Sequence, residues 1–248
     1  MNIIVLIAGV HDPKWPITPD SEANGLPAAS HQVPSPFDEA AIEIALRIRE
    51  ARPDTLITAH VAGGAAGEKI ARTIAALNIT DVSTVELAAP WDQAATARSL
   101  AALCGDADLI LIGREFGDYD DGMVPALLAG FLDIPLFARV QTIETQGDIR
   151  FTREMDSYVE TLKVSSRLLA SVTNDRRTRL RKPLMKNVML ARQASIGETV
   201  TQSASSSAIG IENMAPRNVD RHQTRCAMIS GPPEVQARTL ATILWEAR

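Results

Sequence analysis

Hydrophobic residues along this chain fall into short continuous runs and into spaced repeats, and the two patterns predict two kinds of element. Ile3–Ala8 is an unbroken aliphatic run, and Asp108–Gly113 (DLILIG) is nearly another. Such runs, without polar alternation, suit strands buried on both faces of a parallel sheet. Thr55–Ala62 and Val82–Leu87 read as two further strands. Between them lie segments of helical period. The first opens at Ser35-Pro36-Phe37-Asp38 and carries Ala41, Ile42, Ile44, Ala45 and Ile48 on its apolar face; Glu68–Leu77, Asp92–Leu103 and Val124–Leu132 follow. Ser35 offers an N-cap acceptor, Pro36 fits a first turn whose N–H has no partner anyway, and Asp38 favours the positive helix end. Strand then helix, repeated at this spacing, implies right-handed crossovers and a parallel sheet covered on both faces.

Beyond Pro135 the rhythm changes. Phe137–Glu144, Ile149–Met155 and Val159–Val172 read as successive extended segments, more antiparallel than crossover-linked. A basic run, Arg176–Lys182, precedes a helix near Leu184–Arg192. Residues 11–35 read as a long loop, and residues 193–230, rich in Ser, Thr, Gln and Asn, as an extended arm. Pro232–Arg248 closes the chain as a helix with Val235, Leu240, Ile243 and Trp245 apolar. The expected organisation is an α/β domain over 1–192, with extra β segments, and a C-terminal arm and helix over 193–248.

Composition narrows the classes. With 248 residues, 46% hydrophobic and 22% charged, the chain can bury a sizeable core. Its net charge of −5 makes nucleic acid a poor partner, because phosphate asks for a basic face. Cys104 and Cys226 are the only cysteines, with no CxxC and no His at ligand spacing, so neither a disulfide scaffold nor a metal site is expected. No stretch approaches the ~20 apolar residues of a membrane span, and the first apolar run lacks a basic leader. The expectation is a cytoplasmic protein without membrane insertion.

Three segments bear on chemistry. Gly63-Gly64-Ala65-Ala66-Gly67 joins a strand to a helix, where backbone N–H groups can cradle phosphate; it is not a GxGxxG fingerprint, and a tight turn needing small residues explains it equally well. The acidic loop Gly113–Gly122 follows a strand, where open α/β sheets bind ligands; a solvated loop capping the next helix is the simpler reading of its carboxylates. The Arg176–Lys182 run lacks interleaved aromatics and suits an acidic protein partner or a solvated loop better than nucleic acid. His11, His31, His60 and His222 form no nucleophile constellation, and His60, inside an aliphatic strand, reads as a core residue. No catalytic residue is expected.

Several blocks together resemble the electron-transfer flavoprotein β family. Ser35-Pro36-Phe37-Asp38-Glu39 is similar to the family's Asn-Pro-Phe-Asp-Glu, and Gly113-Arg114-Glu115 with Asp118 and Asp120 to its Gly-Lys-Gln-Ala-Ile-Asp-Asp-Asp. Ala129–Pro135, Thr152–Asp156 with Val159-Glu160-Thr161, Thr173-Asn174-Asp175 and Asn187-Val188-Met189 continue the resemblance in family order over nearly the whole chain. It implies an adenine nucleotide hydrolase-like α/β fold whose arm wraps a homologous α subunit. It further implies FAD shared with that subunit, and electrons arriving from flavin dehydrogenases. On this chain it places cofactor contacts at Leu6, Trp15, Ser35, Ala62, Gly63, Asp118, Asp120, Asp121, Gly122, Met123 and Val124. Partner recognition falls on Leu184 and Met185 as apolar anchors, with Arg179 and Arg181 as steering charges. Where the family has Asn-Gln-Thr-Gly, this chain has Gly122-Met123-Val124-Pro125, so the AMP that the family usually buries is expected to be absent or weakly held. A non-redox nucleotide-binding module on the same fold is the rival reading, since fold does not determine function.

Overall fold

The computed structural model describes residues 1–16, 31–200, 209–212 and 228–246. Residues 17–30 of the expected loop, and 201–208 and 213–227 of the expected arm, lie outside them. The chain divides into two units, residues 1–214 and 215–248.

In the first unit the strands are β1 (Asn2–His11), β2 (Gln32–Pro34), β3 (Leu56–Ala62), β4 (Asp81–Glu86), β5 (Leu109–Gly113), β6 (Leu136–Val140), β7 (Thr142–Glu144), β8 (Arg150–Met155), β9 (Tyr158–Lys163), β10 (Leu168–Val172) and β11 (Gly197–Val200). The helices are α1 (Pro36–Ala51), α2 (Gly64–Ala75), α3 (Gln93–Ala101), α4 (Met123–Leu132) and α5 (Met185–Ala191). Seven strands run parallel in the order β11-β4-β3-β1-β5-β10-β6. This is the α/β, parallel-sheet architecture expected from the strand–helix alternation.

β1 shows why the sheet is covered on both sides. Ile3, Val5 and Ile7 face a core shared with α1 and α2, while Ile4, Leu6 and Ala8 face a second core shared with α3 and α4. Each fully buried aliphatic side chain contributes roughly 1.5–3 kcal/mol. Ser35 and Asp38 form a capping box at the start of α1, with Pro36 at its first position, and the expected apolar face Ala41, Ile42, Ile44, Ala45 and Ile48 is wholly buried.

Three boundaries differ from expectation. Val159–Val172 is two strands: β9 closes the antiparallel sheet β7-β8-β9, whereas β10 inserts in parallel between β5 and β6. Its sequence, Leu168-Leu169-Ala170-Ser171-Val172, is buried throughout, the same signature as β5. Helix α2 begins at Gly64, so only Gly63, at φ +117°, remains a turn. The stretch read as arm begins within the sheet, because β11 pairs in parallel with the β4 edge. In the second unit α6 (Pro233–Glu246) is a helix with no buried residue. Among the described residues no helix is long and apolar enough to cross a membrane.

Candidate functional site

From β1 the chain moves through α1 to β3 and through α2 to β4; from β4 it returns through α3 to β5 and continues through α4 to β6. The direction of travel reverses between the adjacent strands β1 and β5, and the carboxyl ends of such a pair form the ligand crevice of an open α/β sheet. β1 overhangs β3 here, and its last residues, Gly9, Val10 and His11, pair antiparallel with β2. The N-termini of α1, α2 and α4 converge on the same edge.

The loop after β5 folds across this edge. His11 N–H donates to Asp118 Oδ2 at 2.9 Å, and the Gln93 side-chain amide donates to the Tyr119 carbonyl at 2.9 Å. Gly117, at φ +76°, takes a backbone conformation that side chains disfavour, and a Cβ there would press on the Ala8 methyl at 3.3 Å. Asp120 is buried and turned inward: Oδ1 accepts from the backbone N–H groups of Gly122, Met123 and Val124 at 3.0, 2.8 and 3.1 Å, and Oδ2 from Phe116 N–H at 2.8 Å. A carboxylate of this chain thus occupies the amides at the start of α4.

Asp38 lies on the opposite side of the crevice, fully buried between Ala8 and Gly113. Oδ2 accepts from Ser35 N–H at 3.0 Å, and Ser35 Oγ accepts from Asp38 N–H at 3.0 Å. Oδ1 is left without a hydrogen bond of normal geometry. Burial raises the Asp38 pKa from 3.8 to about 7, against hydrogen bonds from Ser35 and the Ala8 backbone that favour the charged form; the neighbouring Glu39 pushes it further up. Gln32 Oε1 is also buried without a donor, close to Gly9 and Gly63. Trp15 is 52% exposed and stacks on His31 with ring centroids 4.2 Å apart, and its carbonyl lies 2.9 Å from His11 Nε2.

The edge therefore gathers Ser35, Ala62, Gly63, Asp118, Asp120, Asp121, Gly122 and Met123, while the side chains of two other expected contacts turn into the core. Leu6 is mid-strand, and its side chain is fully buried in the α3/α4 core. Val124 is buried in the same core. Among the described residues no group of His, Cys, Asp and Glu is arranged to hold a metal. His60 is half-buried, with Nδ1 2.8 Å from Ser83 Oγ, and burial lowers its pKa.

Comparison with known proteins shows the family. A model of the electron transfer flavoprotein domain matches residues 27–204. The chain is 31% identical over 190 residues to the electron transfer flavoprotein subunit beta of Bos taurus, covering 73% of this chain and 72% of that protein. The subunit beta of Dictyostelium discoideum is 29% identical over 203 residues (79% and 80%), and that of Bacillus subtilis 27% over 223 residues (85% and 84%). The chain belongs to the electron-transfer flavoprotein β-subunit family.

Family membership gives it an electron-transfer flavoprotein role. Its residues fit a flavin unevenly. The Trp15–His31 stack presents a flat, half-exposed aromatic surface, and Phe37, with the Arg114 guanidinium 5.4 Å from its ring centroid, presents a second. A phosphate fits poorly at α4, whose first amides already hold Asp120 and whose neighbouring side chains, Met123 and Val124, donate nothing.

The expected recognition segment is exposed. Leu184 and Met185 are 71% and 75% accessible, and Met189 and Leu190, which sequence reasoning missed, are 62% and 60% accessible. Arg179 is exposed. Arg181 is not a free steering charge: its guanidinium and its own N–H reach Glu43 of α1 at 2.9–3.2 Å, and the guanidinium also binds Glu50. Burial alone would raise the Glu43 pKa, yet the hydrogen bonds from Arg181 and Arg47 outweigh it and hold the carboxyl ionised.

Proposed function

We propose that this chain is the β subunit of a heterodimeric electron-transfer flavoprotein, working in the cytoplasm. It pairs with an α-type subunit, covers part of the isoalloxazine of an FAD held chiefly by that partner, and relays electrons from flavin dehydrogenases to a downstream acceptor. Bound FAD supplies the redox chemistry. The observation that carries the reading is the placement of Asp120: a chain that closes its own α4 amides with a carboxylate is equipped to cover a flavin rather than to grip its phosphates. The roles left to its residues are to orient and to exclude water. Trp15 and Phe37 offer flat surfaces, Ser35 and Asp38 hold the start of α1, and Asp118 latches the loop over β1.

The same loop argues against AMP. Carboxylates close to a phosphate disfavour it by ~1 kcal/mol or more per pair, and no side-chain amide or hydroxyl replaces the missing donors at Gly122, Met123 and Val124. In this reading the stretch that follows β11, rather than all of 193–248, wraps the α subunit. Helix α6 supports that role: Val235, Leu240, Ile243, Leu244 and Trp245 are all about half exposed or more, an apolar stripe needing a cover. Leu184 and Met185 then dock the dehydrogenase.

Purifying the chain alone and together with an α-type subunit tests this directly. Flavin absorption bands should appear in the complex and be absent from the isolated chain. Stoichiometric flavin on the isolated chain would refute the shared site.

A further inference from the structure

Helix α5 has seven residues, of which Ala191 alone is buried. A helix that short does not persist in water through its own hydrogen bonds. Packing against α2 engages little of it, through Ala191 and the half-buried Val188, because its large apolar side chains, Met185, Met189 and Leu190, face outward with Leu184 just before them. Its last turn is held by Arg72 of α2. Arg72 Nη1 donates to the carbonyl oxygens of Ala191, Arg192 and Ala194 at 3.1, 2.9 and 3.2 Å. The Ala191 and Arg192 carbonyls lie at the helix C-terminus, where backbone acceptors outnumber donors and a cation is favoured by the dipole; the Ala194 carbonyl belongs to the turn that follows. Glu68, one turn earlier on α2, accepts from Nε and Nη2 of the same guanidinium and so orients the fork. At the opposite end of the segment, Arg181 ties the chain to Glu43 and Glu50 of α1.

We infer that Arg72 is a positioning residue for partner docking, its guanidinium holding α5 so that Leu184, Met185, Met189 and Leu190 stand together as a preformed apolar patch for an electron-donating dehydrogenase. The inference rests on the reading that dehydrogenases dock on this segment. Arg179, Lys182 and Lys186 flank the patch, exposed and without ion pairs among the described residues, which suits a partner with an acidic rim. A patch ordered before the encounter avoids the cost of ordering it on binding. Lysine could not replace this guanidinium, since one ammonium cannot hold Glu68 and three carbonyls together.

The test is Arg72→Met in the flavin-loaded heterodimer. Amides 185–194 should exchange hydrogen about tenfold faster, and the apparent KM for the reducing dehydrogenase should rise about three- to tenfold. Turnover at saturation and the flavin spectrum should stay as in the parent. Leu184→Ala/Met185→Ala, measured alongside, separates the two levels of the argument. A raised KM in that double variant with an unchanged KM in Arg72→Met overturns the role of Arg72 alone. An unchanged KM in the double variant removes the docking reading and the inference with it. Unaltered exchange, or a changed flavin spectrum in Arg72→Met, also overturns the positioning role. If Arg72→Met fails to assemble, Glu68→Gln loosens the same fork and must show the same pattern at smaller size; an unmoved KM there counts against Arg72.

Discussion

The carboxyl edge of the sheet and the segment from Arg179 to Ala194 solve opposite problems with the same kind of bond. At the edge, acidic side chains turn inward onto backbone N–H groups: Asp118 onto His11, Asp120 onto Phe116, Gly122, Met123 and Val124, Asp38 onto Ser35. At the segment, guanidinium groups turn onto carbonyls and carboxylates, and apolar side chains are left facing water. The first arrangement closes a crevice and leaves aromatic surfaces beside it. The second holds out an apolar patch that a two-turn helix could not hold by itself. Polar bonding is the scaffold in both places, and the difference lies in what remains exposed once that bonding is complete.

The largest effect that could break this contrast concerns Asp38. Its folded pKa of about 7 lies above the 3.8 of an ordinary carboxyl, so the folded state binds a proton that the unfolded state has released. The contribution is fully present below about pH 4 and is lost as pH rises to about 7, roughly 4 kcal/mol in all. Urea midpoints measured across that range should fall for the parent relative to Asp38→Asn. Parallel curves would mean that Asp38 is not held neutral at the edge.

Asp120→Ala comes next. It strips four amides of their acceptor, two of them on the buried residues Phe116 and Val124, and should cost roughly 3 kcal/mol, or about 8 °C in melting temperature. Asp121→Ala, at an exposed carboxylate of the same loop, should shift stability by under about 0.5 kcal/mol. Equal effects would erase the distinction between capping and solvated acids.

How much of this could be read from the chain depends on sequence distance. The unbroken runs in β1 and β5, the Ser35–Asp38 capping box and the helix-capping role of the acidic loop are local, and the sequence shows them. β10 carries the same apolar signature, but only long-range pairing with β5 and β6 separates it from β9. Gly63–Gly67 reads as a turn because its residues are small; Gly67 instead lets α2 lie close against β3, where a Cβ would stand 3.0 Å from the Ala62 carbonyl. Arg181 meets Glu43 across 138 positions and Arg72 meets Ala191 across 119, so no window shows that either charge is taken. Leu6 illustrates the remaining limit: family likeness reaches the right strand, while the pleat decides that its side chain points into the core.

Arg181→Met sharpens the second half of the contrast. It leaves Glu43 buried with Arg47 as its one remaining guanidinium and should cost about 2 kcal/mol, a moderate value because the Arg181 side chain is 38% exposed. Leu184→Ala/Met185→Ala should leave stability within about 0.5 kcal/mol, since both side chains already face water, while raising the KM for the dehydrogenase about tenfold. A loss of stability as large as that of Arg181→Met would show that the patch packs against the body of the protein.

The most direct test of the central claim is the nucleotide content of the purified heterodimer, released by denaturation and quantified by chromatography. A covering subunit whose α4 amides are closed by Asp120 predicts one FAD per heterodimer and no AMP. Stoichiometric AMP, or two FAD per heterodimer, would contradict it.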